Sequence, residues 1–244
     1  MWDKLKIEFF KIRKNRLFIA FLSIPFIIFI SVLMSENRIP LYQSFFGVNY
    51  STAFQYIFLQ RLSLLQLALI VFLCYNYLSL EVKHKCYNII FTSPGKKIAS
   101  YSAKITLLIT YVTINIVSSY LILWCASLFF SKISAPSAIP FLYVWAIFIL
   151  LVVFQFFTAH LTRNLVSYML LFIILFAFSV TYNGDYKIYN PYYYIKDSAY
   201  SILPHISTFK DIDIIIVSIS IFYILGAISF NRVTYGKKRK SILF

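Results

Sequence analysis

The chain has 244 residues, of which 61% are apolar and only 13% are charged, and its formal net charge is +15. A soluble domain has about 45–50% apolar and about 25% charged residues, so this composition excludes an ordinary soluble protein and indicates a membrane protein. The hydrophobic runs leave no stretch long enough for a separate soluble domain. We therefore expect one membrane domain that comprises residues 1–244.

The first 16 residues predict an amphipathic helix that lies in the membrane interface. Apolar residues recur at helical spacing, whereas Lys4, Glu8, Lys11 and Asn15 share the opposite face. Such a helix places its apolar side in lipid and its basic side toward headgroups. An ordinary positively charged anchor is the alternative. The residues assigned to the interfacial helix are Trp2, Leu5, Glu8, Phe9, Lys11 and Ile12.

Six hydrophobic segments follow, each close to the roughly 20 residues that a helix needs to cross the hydrocarbon core. Lipid cannot satisfy bare backbone groups, so each segment must be helical. The sequence thus predicts an all-α integral membrane protein with six transmembrane helices. The first span is longer than a signal-peptide core and no clear cleavage site follows it, which favours a retained anchor. The predicted spans are residues 17–34, 62–80, 105–130, 139–159, 165–182 and 212–230.

The distribution of Lys and Arg predicts the orientation. These residues are concentrated in the N-terminal leader, in the loop 81–104 and in the C-terminal tail, and they are sparse in the alternate loops. Cytoplasmic loops carry the excess of Lys and Arg, so both termini are expected in the cytoplasm of a multi-pass cell-membrane protein. Anionic inner-leaflet lipid accounts for the basic charge, and no nucleic-acid partner is expected.

Catalytic and metal-binding motifs are missing from the sequence. Gly95-Lys96-Lys97 lacks the glycine and the hydroxyl residue of a phosphate-binding loop. His84, His160 and His205 are scattered and form no metal motif, and His160 is expected at a helix end near lipid phosphate. We therefore expect no catalytic residues, no metal and no cofactor bound by this chain, which on its own is not an enzyme.

The interiors of the predicted spans contain no Asp, Glu or Lys, and Asp213 lies at the start of the sixth span. Ion-driven transporters usually keep such groups at membrane depth, so this absence argues against ion coupling. Neutral polar residues are expected to form hydrogen bonds between helices. They are Gln66, Asn76, Asn115 and Gln155.

The loop 81–104 is the only sizeable loop predicted on the cytoplasmic side between spans. Thr92-Ser93-Pro94-Gly95 ends a first short helix, and a second helix can start near Lys96. The loop is either a docking surface for a cytoplasmic partner or a solvated connector, and its residues alone favour neither. An apolar stripe at helical spacing runs through its first half and consists of Val82, Cys86, Ile89 and Ile90.

These features together resemble the permease subunits of type-two ABC exporters, and the likeness covers the whole chain. Two positions depart from the family pattern, because Lys85-Cys86 stands where a Gly-Thr pair is common and Lys97 stands where an Arg is common. The matching positions are Glu8 and Lys11 in the leader, Glu81 after span two, Thr92-Ser93-Pro94 at the turn, and Lys97 and Lys104 before span three.

Within that family, the chain is most similar to the small permeases of bacteriocin (lantibiotic) self-immunity transporters. The likeness lies in the length, in the long Tyr-rich outer loop and in the lack of a fused ATPase. Lys outnumbers Arg, and Ile, Asn, Tyr and Phe abound, which is typical of an AT-rich genome such as that of many Gram-positive bacteria.

The resemblance implies a membrane-spanning subunit that moves a hydrophobic or amphipathic peptide outward. A separate cytoplasmic ATPase would bind ATP and Mg, and a second permease copy or homologue would complete the transporter. The alternative is a non-transporting membrane protein, such as an insertion factor or a sensor subunit. The residues expected to couple to the ATPase are Glu81, Val82, Cys86, Ile89, Ile90, Pro94 and Lys97.

Tyrosines cluster in the predicted outer loop 183–211. At a membrane border, tyrosine normally forms an anchoring belt. The alternative is an outer gate over which a peptide leaves. The residues of this possible gate are Tyr192, Tyr193 and Tyr194.

Overall fold

The computed structural model of the chain describes residues 5–6, 8–10, 16–35, 39–83, 97–162, 164–181 and 212–232. Over these residues it is all-helical, with no β-strand, which confirms the all-α part of the predicted fold class. Leu5, Lys6 and residues 8–10 are helical. The longer helices are α1 (Arg16–Met34), α2 (Ile39–Phe46), α3 (Tyr50–Lys83), α4 (Lys97–Phe129), α5 (Ala138–Thr162), α6 (Leu165–Thr181) and α7 (Ile212–Arg232).

Four of these helices are long and apolar enough to cross a membrane, which is consistent with the predicted multi-pass membrane protein. They lie in α3, α4, α5 and α7. The apolar parts of α1 and α6, Ile19–Met34 and Leu165–Ala177, are shorter. They coincide with the first and fifth predicted spans, and a six-span topology stays a prediction.

Two helices extend well beyond the predicted spans. Helix α3 begins at Tyr50 instead of residue 62, and α4 begins at Lys97 instead of residue 105. Hydrophobicity ends at polar residues, whereas a helix continues wherever its backbone bonds and side-chain contacts are satisfied. Consequently Arg61 and Lys104 both lie inside long apolar helices. The predicted spans had left both residues just outside. The short helix α2 was not predicted from the sequence.

Helix α5 is the centre of the bundle. It packs against α3, α4, α6 and α7, while α1 packs against α3 and α4. A helix that is apolar on all sides is suited to such a position. Its side chains are buried around most of its circumference, and they include Val144, Ile147, Phe148, Leu151 and Phe156.

The contacts between helices define two opposite ends of the bundle. At one end, Glu8 contacts Tyr77 of α3 and Lys104 of α4. At the other end, the hydroxyl of Ser51 at the start of α3 lies 2.7 Å from that of Ser134, between α4 and α5. We call these the Glu8 end and the Ser51 end. The sequence predicts that the Glu8 end faces the cytoplasm.

Helices α6 and α7 present large apolar side chains outward. Only 17% of the most apolar stretch of α7 is buried. Such surfaces suit contact with lipid chains, which are as apolar as these side chains. The exposed residues are Leu165, Val166, Leu170, Ile173, Ile174, Ile216, Val217, Ile221, Ile224, Leu225 and Ile228.

The six-span topology predicts the accessibility of single cysteines introduced into a cysteine-free chain. In intact cells, a membrane-impermeant thiol reagent should label Ser134→Cys and Glu36→Cys. It should label Asn164→Cys and Lys238→Cys only after the membrane is opened, because both are expected on the cytoplasmic side. Labelling of Asn164→Cys from outside would refute the hairpin between α5 and α6 and the six-span topology with it.

Candidate functional site

Three polar side chains from three separate segments meet at the Glu8 end. The ammonium nitrogen of Lys104 lies 3.5 Å from a carboxylate oxygen of Glu8. The hydroxyl of Tyr77 donates a hydrogen bond to the other carboxylate oxygen. All three residues are buried, with exposed fractions of 0% for Lys104, 1% for Tyr77 and 3% for Glu8. We call this group the Glu8 cluster.

The Glu8 cluster is a charged group in a largely apolar bundle. The Lys104 ammonium also lies 5.3 Å from the centre of the Tyr77 ring, close enough for a cation–π contact. Charges removed from water are tolerated only when each has well-placed partners, and removal of one partner then costs about 3–5 kcal/mol. The cluster therefore fastens the N-terminal segment to α3 and α4.

An aromatic layer lies in the same end of the bundle, around Tyr101 of α4. The Tyr101 ring centre is 5.5 Å from that of Phe156 on α5, and 5.4 and 5.7 Å from those of Phe230 and Tyr223 on α7. Gly226 permits this approach, because a Cβ atom there would collide with the Tyr101 hydroxyl. The layer joins α4, α5 and α7 beside the Glu8 cluster.

His160 belongs to this layer and not to the lipid surface. It is buried at the end of α5, and its ring centre lies 5.1 Å from that of Phe230. The sequence had placed it near lipid phosphate, and that prediction is wrong. The cause is the packing of α7 across the end of α5, which the sequence pattern does not reveal.

Neutral polar bonds tie the other helices together near the middle of the bundle. Gln66 of α3 donates to Asn115 of α4, whose amide nitrogen donates to the backbone oxygen of Phe21 in α1 at 2.6 Å. The Tyr168 hydroxyl of α6 lies 2.5 Å from the side-chain oxygen of Gln155 in α5. The predicted interhelical roles of Gln66, Asn115 and Gln155 are thus confirmed.

Asn76 was assigned the same role as these three residues. Its hydrogen bonds with Ser79 are local instead, because the hydroxyl of Ser79 donates to the Asn76 backbone and side-chain oxygens within α3. No interhelical bond of Asn76 is recorded among the described residues.

The N-terminal segment presents a different face to the bundle from the one that its amphipathic pattern predicted. Glu8 was assigned to the face toward headgroups, yet it points into the bundle. Phe9 is 48% exposed and Phe10 is exposed too, which fits contact with lipid, while Leu5 is half-buried against the core. The buried Lys104 accounts for the difference, since a carboxylate beside it offsets the cost of burying its charge.

Much of the predicted coupling and gating machinery lies outside the described residues. Glu81 and Val82 are in the last turn of α3, and Lys97 is the first residue of α4, but their side chains are not described. Both helix ends are close to the Glu8 cluster along the chain. The predicted site residues outside the described ranges are Trp2, Lys11, Ile12, Cys86, Ile89, Ile90, Pro94, Tyr192, Tyr193 and Tyr194.

The structure also shows residues that the sequence analysis did not select. Tyr77 and Tyr101 looked like ordinary aromatic residues of hydrophobic segments, and Lys104 was noted only through the family pattern. A Lys about two helical turns inside an apolar helix is the signal that could have identified the cluster. Among the residues described, no three His, Cys, Asp or Glu side chains come together as a possible metal site.

We predict that Lys104→Met destabilises the protein, because it leaves the buried Glu8 carboxylate without a positive partner. The change removes the positive charge beside that carboxylate, so thermal unfolding in detergent, followed by circular dichroism, should begin at a lower temperature. The expected loss is on the order of 3–5 kcal/mol. The double variant Glu8→Gln/Lys104→Met should recover part of the loss, because it buries no charge. Equal unfolding midpoints for Lys104→Met and the unmodified protein would contradict the role of the cluster.

Comparison with known proteins adds no relative to these observations. No protein-family model, no curated protein and no solved structure matches the chain.

Proposed function

We propose that this chain is the membrane-spanning subunit of an ATP-driven ABC exporter whose ATPase is a separate protein. The observation that carries the proposal is the position of the Glu8 cluster. It fastens the N-terminal segment to α3 and α4, close to the two helix ends that flank residues 84–96. A cytoplasmic partner that pressed on this loop would move all three segments together.

The remaining contacts supply a route for such a movement through the bundle. From α4, the aromatic layer around Tyr101 leads to α5 and α7. The hydrogen bonds of Asn115 join α4 to α3 and α1 at mid-depth. Coupling of this kind requires packed side chains and rigid helices between the two places. The packed aromatic side chains between α4, α5 and α7 support the proposal of such a route.

The division of labour in the proposed transporter follows from the chemistry that the chain offers. Its sequence has no phosphate-binding loop, so ATP and Mg belong to the partner ATPase. The ATPase must then move this chain through direct contact. The apolar stripe of the loop 81–104, which includes Ile89, is the surface proposed for that contact. Glu81 and Lys97 at the ends of α3 and α4 flank that surface.

The proposed cargo is a hydrophobic or amphipathic peptide of the bacteriocin kind, moved out of the membrane or the cell. This proposal rests on the resemblance to self-immunity permeases. A second permease copy or a homologue would complete the assembly. The setting would be the cell membrane of a Gram-positive bacterium, with six spans, an interfacial N-terminal helix and both termini in the cytoplasm.

The sharpest test is the substitution Ile89→Asp in the loop. Burial of a large aliphatic side chain in a partner cleft is worth roughly 1.5–3 kcal/mol, so a charge there should weaken ATPase binding by about tenfold or more. We expect the tagged chain carrying Ile89→Asp to reach the membrane, to lose the ATPase in a pull-down and to lose export.

The matched control for this test is Ile89→Leu, which keeps the apolar area and should retain both the ATPase and export. A normal pull-down with Ile89→Asp would refute the docking role of the loop. If the unmodified chain brings down no ATPase at all, the exporter proposal fails, and a non-transporting insertion factor or sensor subunit takes its place.

A further inference from the structure

A groove with a single cation at its edge lies between α1 and α3, at the level where α1 ends and about 15 Å along α3 from Ser51. Its volume is about 340 Å³. An apolar cavity of about 150 Å³ already holds benzene, so this groove has room for part of an acyl chain. The residues that matter for its chemistry are Ile27, Ser31, Arg61, Leu64, Leu65 and Ala68.

Arg61 is held at this position by the end of α1. One guanidinium nitrogen, Nη1, donates to the backbone oxygen of Ser31 at 2.7 Å and to the Ser31 hydroxyl at 2.5 Å. Within the described part of the chain, no carboxylate forms an ion pair with Arg61. Its guanidinium has five N–H donors, so donors remain for an anion at the edge of the groove.

The polar part of the groove lies at the end of α1, and its apolar part extends from there toward the Glu8 end. Ser31 precedes the end of α1 at Met34 by less than one turn, so Arg61 lies at the level where α1 ends. Leu65 and Ala68 follow Arg61 by about one and two helical turns toward the Glu8 end, or about 6 and 10 Å. On α1, which faces α3 across the groove, Ile27 lies about one turn from Ser31 toward the Glu8 end. The cation is thus at the end of α1, and the apolar wall runs toward the middle of the bundle.

We propose that this groove binds one phospholipid, with the phosphate at Arg61 and an acyl chain along Leu64, Leu65 and Ala68. Charge complementarity selects this occupant, because an apolar partner surface would leave the Arg61 charge without a counter-ion. Guanidinium groups bind phosphate through paired, charge-assisted hydrogen bonds. With the Glu8 end in the cytoplasm, the lipid would belong to the outer leaflet. Phosphatidylglycerol, which has a net negative charge, complements the Arg61 cation. The site does not depend on the exporter function.

Native mass spectrometry of the full chain in detergent tests this site. The probes are phosphatidylglycerol and a diacylglycerol with the same acyl chains. The unmodified protein should retain phosphatidylglycerol and bind diacylglycerol at least about tenfold more weakly, the difference that a charge-assisted hydrogen bond makes. Inorganic phosphate in excess should not displace the lipid, because it lacks the acyl chain.

Two variants separate the charge from the groove. Arg61→Gln should weaken phosphatidylglycerol binding by about tenfold, and Ala68→Trp should weaken it by filling the groove while it keeps Arg61. The matched control is Lys132→Gln, which removes an exposed cation outside the groove and should bind like the unmodified protein. Circular dichroism should show unchanged helicity in all three variants.

Several outcomes would overturn the proposal. Equal retention of phosphatidylglycerol by Arg61→Gln and the unmodified protein would exclude phosphate recognition by Arg61. Equal binding with Ala68→Trp would exclude the groove as the acyl site. Displacement by inorganic phosphate would show a simple anion site. If Ala68→Trp changed the proportion of dimer but not the amount of bound lipid, the groove would be an interface between two copies of the chain.

Discussion

The burial of Lys104 is the constraint on which the Glu8 end depends. An ammonium group that is completely removed from solvent inside an apolar helix needs compensating partners at the same place. Glu8 and Tyr77 meet that need, and the N-terminal segment has to lie against α3 and α4 for the carboxylate to reach. A segment that would otherwise rest in the interface becomes attached to the two helices that border the predicted docking loop, and the aromatic layer of Tyr101 extends the attachment to α5 and α7.

The rest of the bundle is held by apolar packing and a few neutral bonds, which suits a protein surrounded by lipid. Where lipid is as apolar as the side chains, close packing and interhelical hydrogen bonds stabilise the association of helices. Helix α5 provides the packing, and the bonds of Asn115 and Tyr168 join α1, α3, α4, α5 and α6. In the proposed exporter, this division would let movement enter at the Glu8 end without breaking the middle of the bundle. Where α1 ends, Arg61 would meet the lipid phosphate.

Hydrophobicity and spacing predicted the all-α fold and the approximate positions of the long helices, because both depend on local composition. The same pattern predicted that Gln66, Asn115 and Gln155 bond between helices, since amides in apolar helices need partners. It did not predict the extension of α3 to Tyr50 or of α4 to Lys97, because tertiary contacts decide whether a polar residue such as Arg61 stays within a helix. It also assigned Glu8 and His160 to the wrong surroundings. Their partners, Lys104 and Phe230, are distant in sequence, and no helical periodicity encodes such a pairing.

Hydrogen–deuterium exchange of the N-terminal segment tests most directly whether the Glu8 cluster fastens it to the bundle. Peptides that cover residues 5–10 should exchange slowly in the unmodified protein, because a segment docked by buried contacts opens rarely. In Glu8→Gln the same peptides should exchange faster, while peptides from α5 should keep their protection. Rapid exchange of residues 5–10 in the unmodified protein, or identical exchange in both proteins, would contradict the account.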